Sequence, residues 1–336
     1  MTLLDVAQEA GVSRSTASRV LSGATSISAD ARDRVEAAAA KLGYRPNRAA
    51  QSLRTRRTRL VGLVLNNLVN ASFHAIAEVL QQRLDDRGYQ VILCVTGADE
   101  DREARYLEML AEHQVDGVVV IGTGRNVALL ERIVAEGIPV LSLIRCAPEA
   151  PGEAVLADDS DGAYLATEHL LDAGHRRIGY IGGPLEANSG RERFHGYAAA
   201  LTSAGLQVVD DLVVRGPFLE SFGEKALAAL LDRDDAPTAL YVANHEAAFG
   251  VLPELRERGV SVPDDVSLIC HEDVSWFRYW QPAITVIDNG AAELAELAAN
   301  RVLAAIERGP GDARSGRAMR VGARLVQRAS VTNPRT

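Results

Sequence analysis

Two textures of apolar spacing divide this chain. Up to Tyr44 the apolar positions recur at helical intervals in three short blocks. Val6, Ala7 and Ala10 make a narrow face. Thr2 followed by Asp5 has capping-box spacing and predicts a helix start, and Gly11 predicts its stop. Ser13 can cap a second helix whose inward stripe is Ala17, Val20 and Leu21. Ser28 opens a third helix over 29–42, with Val35, Ala38, Ala39 and Leu42 inward and Gly43 behind it. Three such helices can close one small core.

From Leu60 onward short apolar runs take over, at 61–65, 91–95, 117–121, 138–143, 178–182, 239–243, 267–270 and 284–287. Helical spacing lies between most of them, as at 75–87, 102–113, 127–136, 163–173 and 191–204. This alternation predicts parallel sheets covered by helices on both faces. The stretch is longer than one sheet needs. Two α/β lobes are therefore expected, with a ligand cleft between them at the carboxyl ends of the strands.

The outward positions of the second helix change the picture. Arg14, Ser15, Thr16, Ser18 and Arg19 are left on its exposed side. Two short helices, a tight turn and a basic, hydroxyl-rich helix start spell a helix-turn-helix, whose second helix presents that end to base edges and phosphates. Charge agrees. Residues 1–59 carry 11 basic and 5 acidic side chains, net +6, whereas the rest is net −15. The whole chain, at −9, would argue against nucleic acid; a basic head on an acidic body argues for it. Between them, Asn47, Arg48, Gln51 and Leu53 lie in a short basic amphipathic segment, a linker able to become helical on DNA.

Composition bounds the rest. The chain has 336 residues, 47% hydrophobic and 24% charged, and is large enough for more than one domain. It opens on a capped helix and has no apolar run of transmembrane length, so neither a signal peptide nor a membrane partner is expected. Cys94, Cys146 and Cys270 are scattered and odd in number, which suits a reducing cytoplasm. No catalytic serine elbow, metal-ligand spacing or dinucleotide glycine loop is present, so no cofactor or metal is expected. The residues still leave two other readings: a small-molecule-binding protein without a DNA role, and an α/β enzyme.

The motifs T-L-L-D-V-A-Q-E-A-G-V-S-R-S-T-A-S-R-V-L-S and G-Y-R-P-N-R-A-A-Q-S-L are specific together. They are followed in order by D-G-A-Y-L-A-T-E-H-L-L-D-A-G-H-R-R-I-G-Y-I-G-G-P, R-E-R-F-H-G-Y, V-P-D-D-V-S-L-I and L-V-Q-R-A-S-V. Almost end to end, the chain resembles the LacI/GalR family of transcriptional repressors. The resemblance implies a small all-α helix-turn-helix domain at 1–46 and a hinge helix at 47–59. It then implies a two-lobed α/β body like periplasmic binding proteins, with parallel sheets. One lobe would hold 60–158 and 289–321, the other 159–288 and 322–336. It implies a homodimer on a palindromic operator, a small sugar-like effector between the lobes, and a cytoplasmic regulator with no catalytic residues.

Roles implied by the resemblance follow position. Arg14 and Ser15 would choose bases, with Arg19 reading DNA. Thr2, Ser13, Thr16 and Asn47 would touch phosphates; Ser18, Arg48 and Gln51 complete the DNA set. Leu53 matches the hinge leucine that wedges into the minor groove. The effector set is Asn70, Phe73, Ser189, Arg193, Phe218, Asn244, His245, Glu272 and Trp276. Phe249, Tyr279 and Trp280 fall near the dimer interface. Several positions depart from the family: Ile144 stands where an Asp usually precedes Arg145, His245 replaces an Asp, and His271 replaces an aromatic.

Overall fold

The computed structural model describes residues 1–21, 27–44, 57–68, 70–147, 149–309 and 318–334. The chain separates into two compact units, Met1–Thr58 and Arg59–Thr336.

The first unit holds α1 (Leu3–Glu9), α2 (Arg14–Leu21) and α3 (Ala29–Lys41). Thr2 Oγ1 accepts from the Asp5 amide, and Asp5 Oδ2 accepts from the Thr2 amide at 2.7 Å, so the capping box forms. Gly11 turns the chain at φ +63°, a conformation that favours glycine. Ser13 Oγ then accepts from the Thr16 amide at 3.1 Å and opens α2. Val6, Ala7, Ala10, Ala17, Val20, Val35, Ala38 and Ala39 form the buried core, and Arg34 ties α3 to the turn through the Ala10 carbonyl.

The second unit is a pair of six-stranded sheets. The first contains β1 (Leu60–Leu65), β2 (Gln90–Val95), β3 (Gly117–Val120), β4 (Val140–Leu143), β5 (Glu153–Ala157) and β11 (Ala318–Val321), in the order β11-β5-β4-β3-β1-β2. The second contains β6 (Ile178–Gly182), β7 (Val213–Arg215), β8 (Ala239–Val242), β9 (Ser267–His271), β10 (Thr285–Asp288) and β12 (Arg324–Val326), in the order β12-β10-β9-β8-β6-β7. The helices are α4 (Ala71–Asp85), α5 (Glu100–Glu112), α6 (Val127–Ala135), α7 (Asp159–Asp172), α8 (Asn188–Ser203), α9 (Glu220–Leu231), α10 (His245–Glu257) and α11 (Ala291–Arg308). Strands of four or five fully buried residues, such as β3, β6 and β8, show that helices cover both faces.

The chain passes between the sheets three times, after β5, after β10 and after β11. Among the described residues all pairings are parallel except β12 with β10. The reason is the link. The carboxyl ends of both sheets face the same cleft, and only residues 322–323 separate β11 from β12. β12 therefore starts at the cleft and must run away from it. Its brevity, and that of β7, left no apolar run to find in the sequence.

Four helices begin earlier than apolar spacing suggests. α4 starts at 71 rather than 75, α5 at 100 rather than 102, α7 at 159 rather than 163 and α8 at 188 rather than 191. Periodicity marks a helix only where a face is buried in the core. The first turns of α7 and α8 are polar and that of α4 is mixed, with Ser72 beside the core residue Phe73, and all three supply side chains to the cleft described below. Helices α7 and α8 also approach closely. A Cβ on Gly196 would strike the Ser160 carbonyl oxygen and crowd Ala163.

Replacing glycine by alanine inside a helix usually stabilises by roughly 0.5–1 kcal/mol. For Gly196→Ala the collision should reverse the sign, with a loss of about 1–3 kcal/mol in urea denaturation. A more stable variant would show that this contact does not set the α7–α8 spacing.

Candidate functional site

A buried charge cluster sits at the carboxyl ends of the second sheet. Arg193, on the second turn of α8, is 3% exposed. Its Nε donates to Asp159 Oδ1 at 2.7 Å, its Nη1 to the Ala243 carbonyl at 2.7 Å, and its Nη2 to Glu272 Oε1 at 3.4 Å. Asp159 is supplied by the first residue of α7, Ala243 follows β8 and Glu272 follows β9. Glu272 Oε2 lies 2.5 Å from His245 Nδ1, an ion-pair distance without hydrogen-bond alignment. His271 Nδ1 shares a hydrogen bond with the Tyr241 hydroxyl at 2.7 Å, and its Nε2 lies 3.4 Å from Asp159 Oδ1.

The first sheet closes onto this cluster. Ser72 Oγ donates to Glu272 Oε2 at 3.3 Å, and Asn70 Nδ2 donates to Glu246 Oε1 at 2.9 Å. Asn188 Nδ2 donates to the Ile144 carbonyl, and Asn188 Oδ1 accepts from the Cys146 amide, each at 3.4 Å. Arg145 reaches across as well, its guanidinium carbon 4.8 Å from the Phe218 ring centroid and 5.9 Å from that of Phe73. Two backbone outliers hold the ends of the strands. Ile144 takes φ +62° and Glu272 φ +74°, in the region that side chains avoid, and a β-branched residue most of all.

Electrostatics assigns the protons. Burial pushes Glu272 up, but His245, Arg193 and His271 outweigh it and hold the carboxyl well below its usual range. Burial likewise opposes Asp159, and Arg193 and His271 win. Arg193, disfavoured by burial, is kept charged by Asp159 and Glu272. His245 is pushed down by burial and then raised past its ordinary value by Glu272 and Glu246. His271 goes the other way, lowered by burial and by Arg193 although Asp159 pulls it up. Several buried polar atoms here have no partner: Asp159 Oδ2, Asn244 Nδ2, His245 Nε2 and Arg145 Nε. Such atoms are costly unless something binds them. They can hold a polar molecule by hydrogen bonds of both senses. Among the described residues there is no metal-ligand cluster of His, Cys, Asp and Glu, and no helix long and apolar enough to cross a membrane. A cavity of about 200 Å³ opens beside the cluster, lined by Cys146, Asn188, Arg191 and Glu192 among others. Neither Arg193 nor Glu272 lines it.

In the helical unit, Arg14, Ser15 and Arg19 are exposed on α2, while Thr16 and Ser18 are half-buried. Ser13 Oγ lies 2.8 Å from both Ser15 Oγ and Thr16 Oγ1, which orders the hydroxyls of the first turn.

The profile of bacterial regulatory proteins of the lacI family matches residues 2–47, and that of the periplasmic binding protein-like domain matches 167–331. The HTH-type transcriptional repressor PurR of Haemophilus influenzae (strain PittEE) is 31% identical over 302 residues, covering 90% of each chain. The HTH-type transcriptional regulator DegA of Bacillus subtilis (strain 168) is 32% identical over 303 residues, 89% of each. The chain belongs to the LacI family of transcriptional regulators. Among solved structures, the lac repressor dimer bound to operator and the anti-inducer ONPF superposes with a TM-score of 0.85 at 28% identity, over 99% of both chains. The transcriptional regulator CelR in complex with cellobiose gives 0.74 at 30% identity, over 98% of this chain and all of that one. These relatives are regulators, not enzymes.

Set on this LacI-family frame, the sequence candidates separate. Asn70, Arg193, Asn244, His245 and Glu272 meet at the cluster, and Phe73 and Phe218 border it through Arg145. Asn70 and Asn244 also cap α4 and α10 through Oδ1, at 3.1 and 2.7 Å. Ser189 is buried in the first turn of α8. Trp276 stacks on Phe249 at 5.0 Å and meets Trp280 at 5.5 Å, and Phe249 in turn meets the His245 ring edge-on at 5.4 Å. Tyr279 is 81% exposed. Asn47, Arg48, Gln51 and Leu53 lie outside the described residues. Sequence reasoning missed Asn66, Ser72, Arg145, Asp159, Asn188 and Tyr241. Asp159 was findable as a polar helix start at the first crossing. Tyr241, inside an apolar strand, gave no signal.

The two histidines should leave opposite marks on stability. His245 has a raised folded-state pKa, so its contribution is complete below the unfolded value of about 6.5 and is lost as pH rises through the folded value. The destabilisation caused by His245→Gln should therefore shrink between about pH 5.5 and about pH 8.5, read by denaturant titration against the parent. For His271→Gln, with a lowered pKa, it should grow. A flat difference for His245→Gln would show that this imidazole is not charged in the folded protein.

Proposed function

We propose that this LacI-family regulator is a cytoplasmic repressor that binds a palindromic operator as a homodimer, under control of a small polar effector held between its lobes. The similarity over 99% of both chains to the lac repressor dimer bound to operator carries this reading. The exposed Arg14, Ser15 and Arg19 would read bases, with Thr2, Ser13, Thr16, Ser18, Asn47, Arg48 and Gln51 on phosphates and neighbouring edges, and Leu53 in the minor groove. The effector domain would divide as 60–158 with 289–321 and 159–288 with 322–336. Phe249, Tyr279 and Trp280 would pack in the dimer.

The unpartnered Asp159 Oδ2, Asn244 Nδ2 and His245 Nε2 support a hydroxyl-rich effector, of which a sugar is the simplest kind. A ligand that binds the closed and open lobes unequally shifts the population between them, and linkage makes operator binding change ligand affinity by the same factor. Arg193 would hold the site together rather than serve as a detachable ligand hook. Truncating it leaves Asp159 and Glu272 buried without their cation, so it should destabilise the body by about 3–5 kcal/mol.

Fluorescence anisotropy with an operator selected from random duplexes tests the reading. Binding should be sequence-preferring and fall steeply with salt. Arg14→Ala should weaken it by about 1–3 kcal/mol with the melting of the body unchanged. Leu53→Ala should reduce operator bending in a gel-phasing assay. Salt-insensitive binding with no sequence preference would remove the repressor reading.

A further inference from the structure

Arg145 stands apart from the other charges of the cleft. Arg193 is matched by Asp159 and Glu272, and Glu272 also faces His245. Glu246 accepts from Asn70. No carboxylate among the described residues forms an ion pair with Arg145. Its Nη1 meets Asn66, which, with its amide turned to suit its neighbours, accepts at 2.6 Å and donates to the Ile121 carbonyl at 3.3 Å. The guanidinium is packed against Phe218 and Phe73, and its buried Nε has no partner. Burial pulls its pKa below the ordinary arginine value despite the fields of Glu246 and Glu272.

This placement is held by strain. The Arg145 amide donates to the Leu143 carbonyl at 2.6 Å, closing a γ-turn over Ile144 at φ +62°. An exposed arginine needs no such turn. Arg145 is half-buried, yet its Nε is shut off from solvent without a partner, and a partly desolvated guanidinium with no ion pair is unfavourable unless something compensates it. Its free Nε edge is half of the planar fork that grips carboxylate or phosphate in two parallel hydrogen bonds.

We propose that the effector is a polyhydroxylated oxyanion, a sugar acid or sugar phosphate, whose anionic group binds the Nε edge of Arg145 between Phe73 and Phe218. Its hydroxyls are taken by Asp159 Oδ2, Asn244 Nδ2 and His245 Nε2. The proposal rests on the effector reading given above and adds the ligand's charge. Ile144 fits it, since it places no carboxylate next to Arg145 in the chain, where the family usually has an Asp.

Inorganic phosphate and acetate are the minimal probes, with glucose 6-phosphate, glucuronate and glucose as a charged and neutral series. Melting temperature is followed against each at ionic strength matched with chloride. The full-length protein should be stabilised saturably by at least one of the two minimal anions, and which one responds separates phosphate from carboxylate chemistry. Arg145→Gln should weaken that response about tenfold or more, with Arg145→Lys between. Without ligand, Arg145→Gln should melt at or above the parent temperature, because it removes a half-buried cation that forms no ion pair. That readout separates a binding role from a structural one. No stabilisation by either anion beyond chloride overturns the proposal, as does an equal response in Arg145→Gln. Glucose acting as strongly as its charged partners also overturns it, and leaves the effector reading standing. Anion binding through Arg145 that never alters operator affinity would keep the oxyanion site and defeat the effector reading.

Discussion

A guanidinium taken out of water must find both an opposite charge and partners for its N–H groups, or its surroundings lose more than they gain. From helix α8, Arg193 meets that demand with groups from three other elements: the start of α7, the end of β8 and the end of β9. Each element is fixed where the others need it. The α7 start is also the first crossing between the sheets, and Glu272 carries the arrangement on to Ser72 of the opposite lobe. The cleft is thus organised from one buried cation outward, and the positive φ at Glu272 belongs to the same geometry.

Closing the lobes brings like and unlike charges together without water to screen them. The cluster manages this by dividing protonation between two histidines of opposite tendency. His245, against Glu272, favours the proton; His271, against Arg193 and the Tyr241 hydroxyl, sheds it. What remains unmatched is a small set of buried polar atoms and Arg145. These are the groups through which a ligand can differ in affinity between open and closed lobes, and differential affinity is what moves such an equilibrium.

The two units divide the electrostatic work. The net +5 of residues 1–58 favours phosphates, and the net −14 of the remainder disfavours them. On α2 the basic side chains stand on ordered hydroxyls, since Ser13 holds both Ser15 and Thr16 in the first turn. Specific contact with DNA edges requires such rigidity, whereas phosphate attraction alone does not.

Local chemistry made much of this legible in advance. The capping box at Thr2–Asp5, the Gly11 turn, the Ser13 and Ser28 caps and the alternation of buried strands with helices are properties of neighbours within a few residues, so the linear chain shows them. Periodicity also located most of the strands. It failed at the first turns of α7 and α8, because those turns face a polar cleft and not the core, and at that of α4, where Phe73 alone faces the core. It failed again at β5, β7, β11 and β12: β5 opens on the buried Glu153, β11 is broken by Arg320, and β7 and β12 are too short to repeat anything. Arg193 and Glu272 were legible as site residues only through family position. That Arg193 is enclosed by Asp159 and the Ala243 carbonyl, that Trp276 stacks behind Phe249, and that Arg145 lies unmatched between Phe73 and Phe218 depends on partners tens to hundreds of residues away. Burial and pairing of charges are set by what folding brings alongside, and no local spacing carries that information.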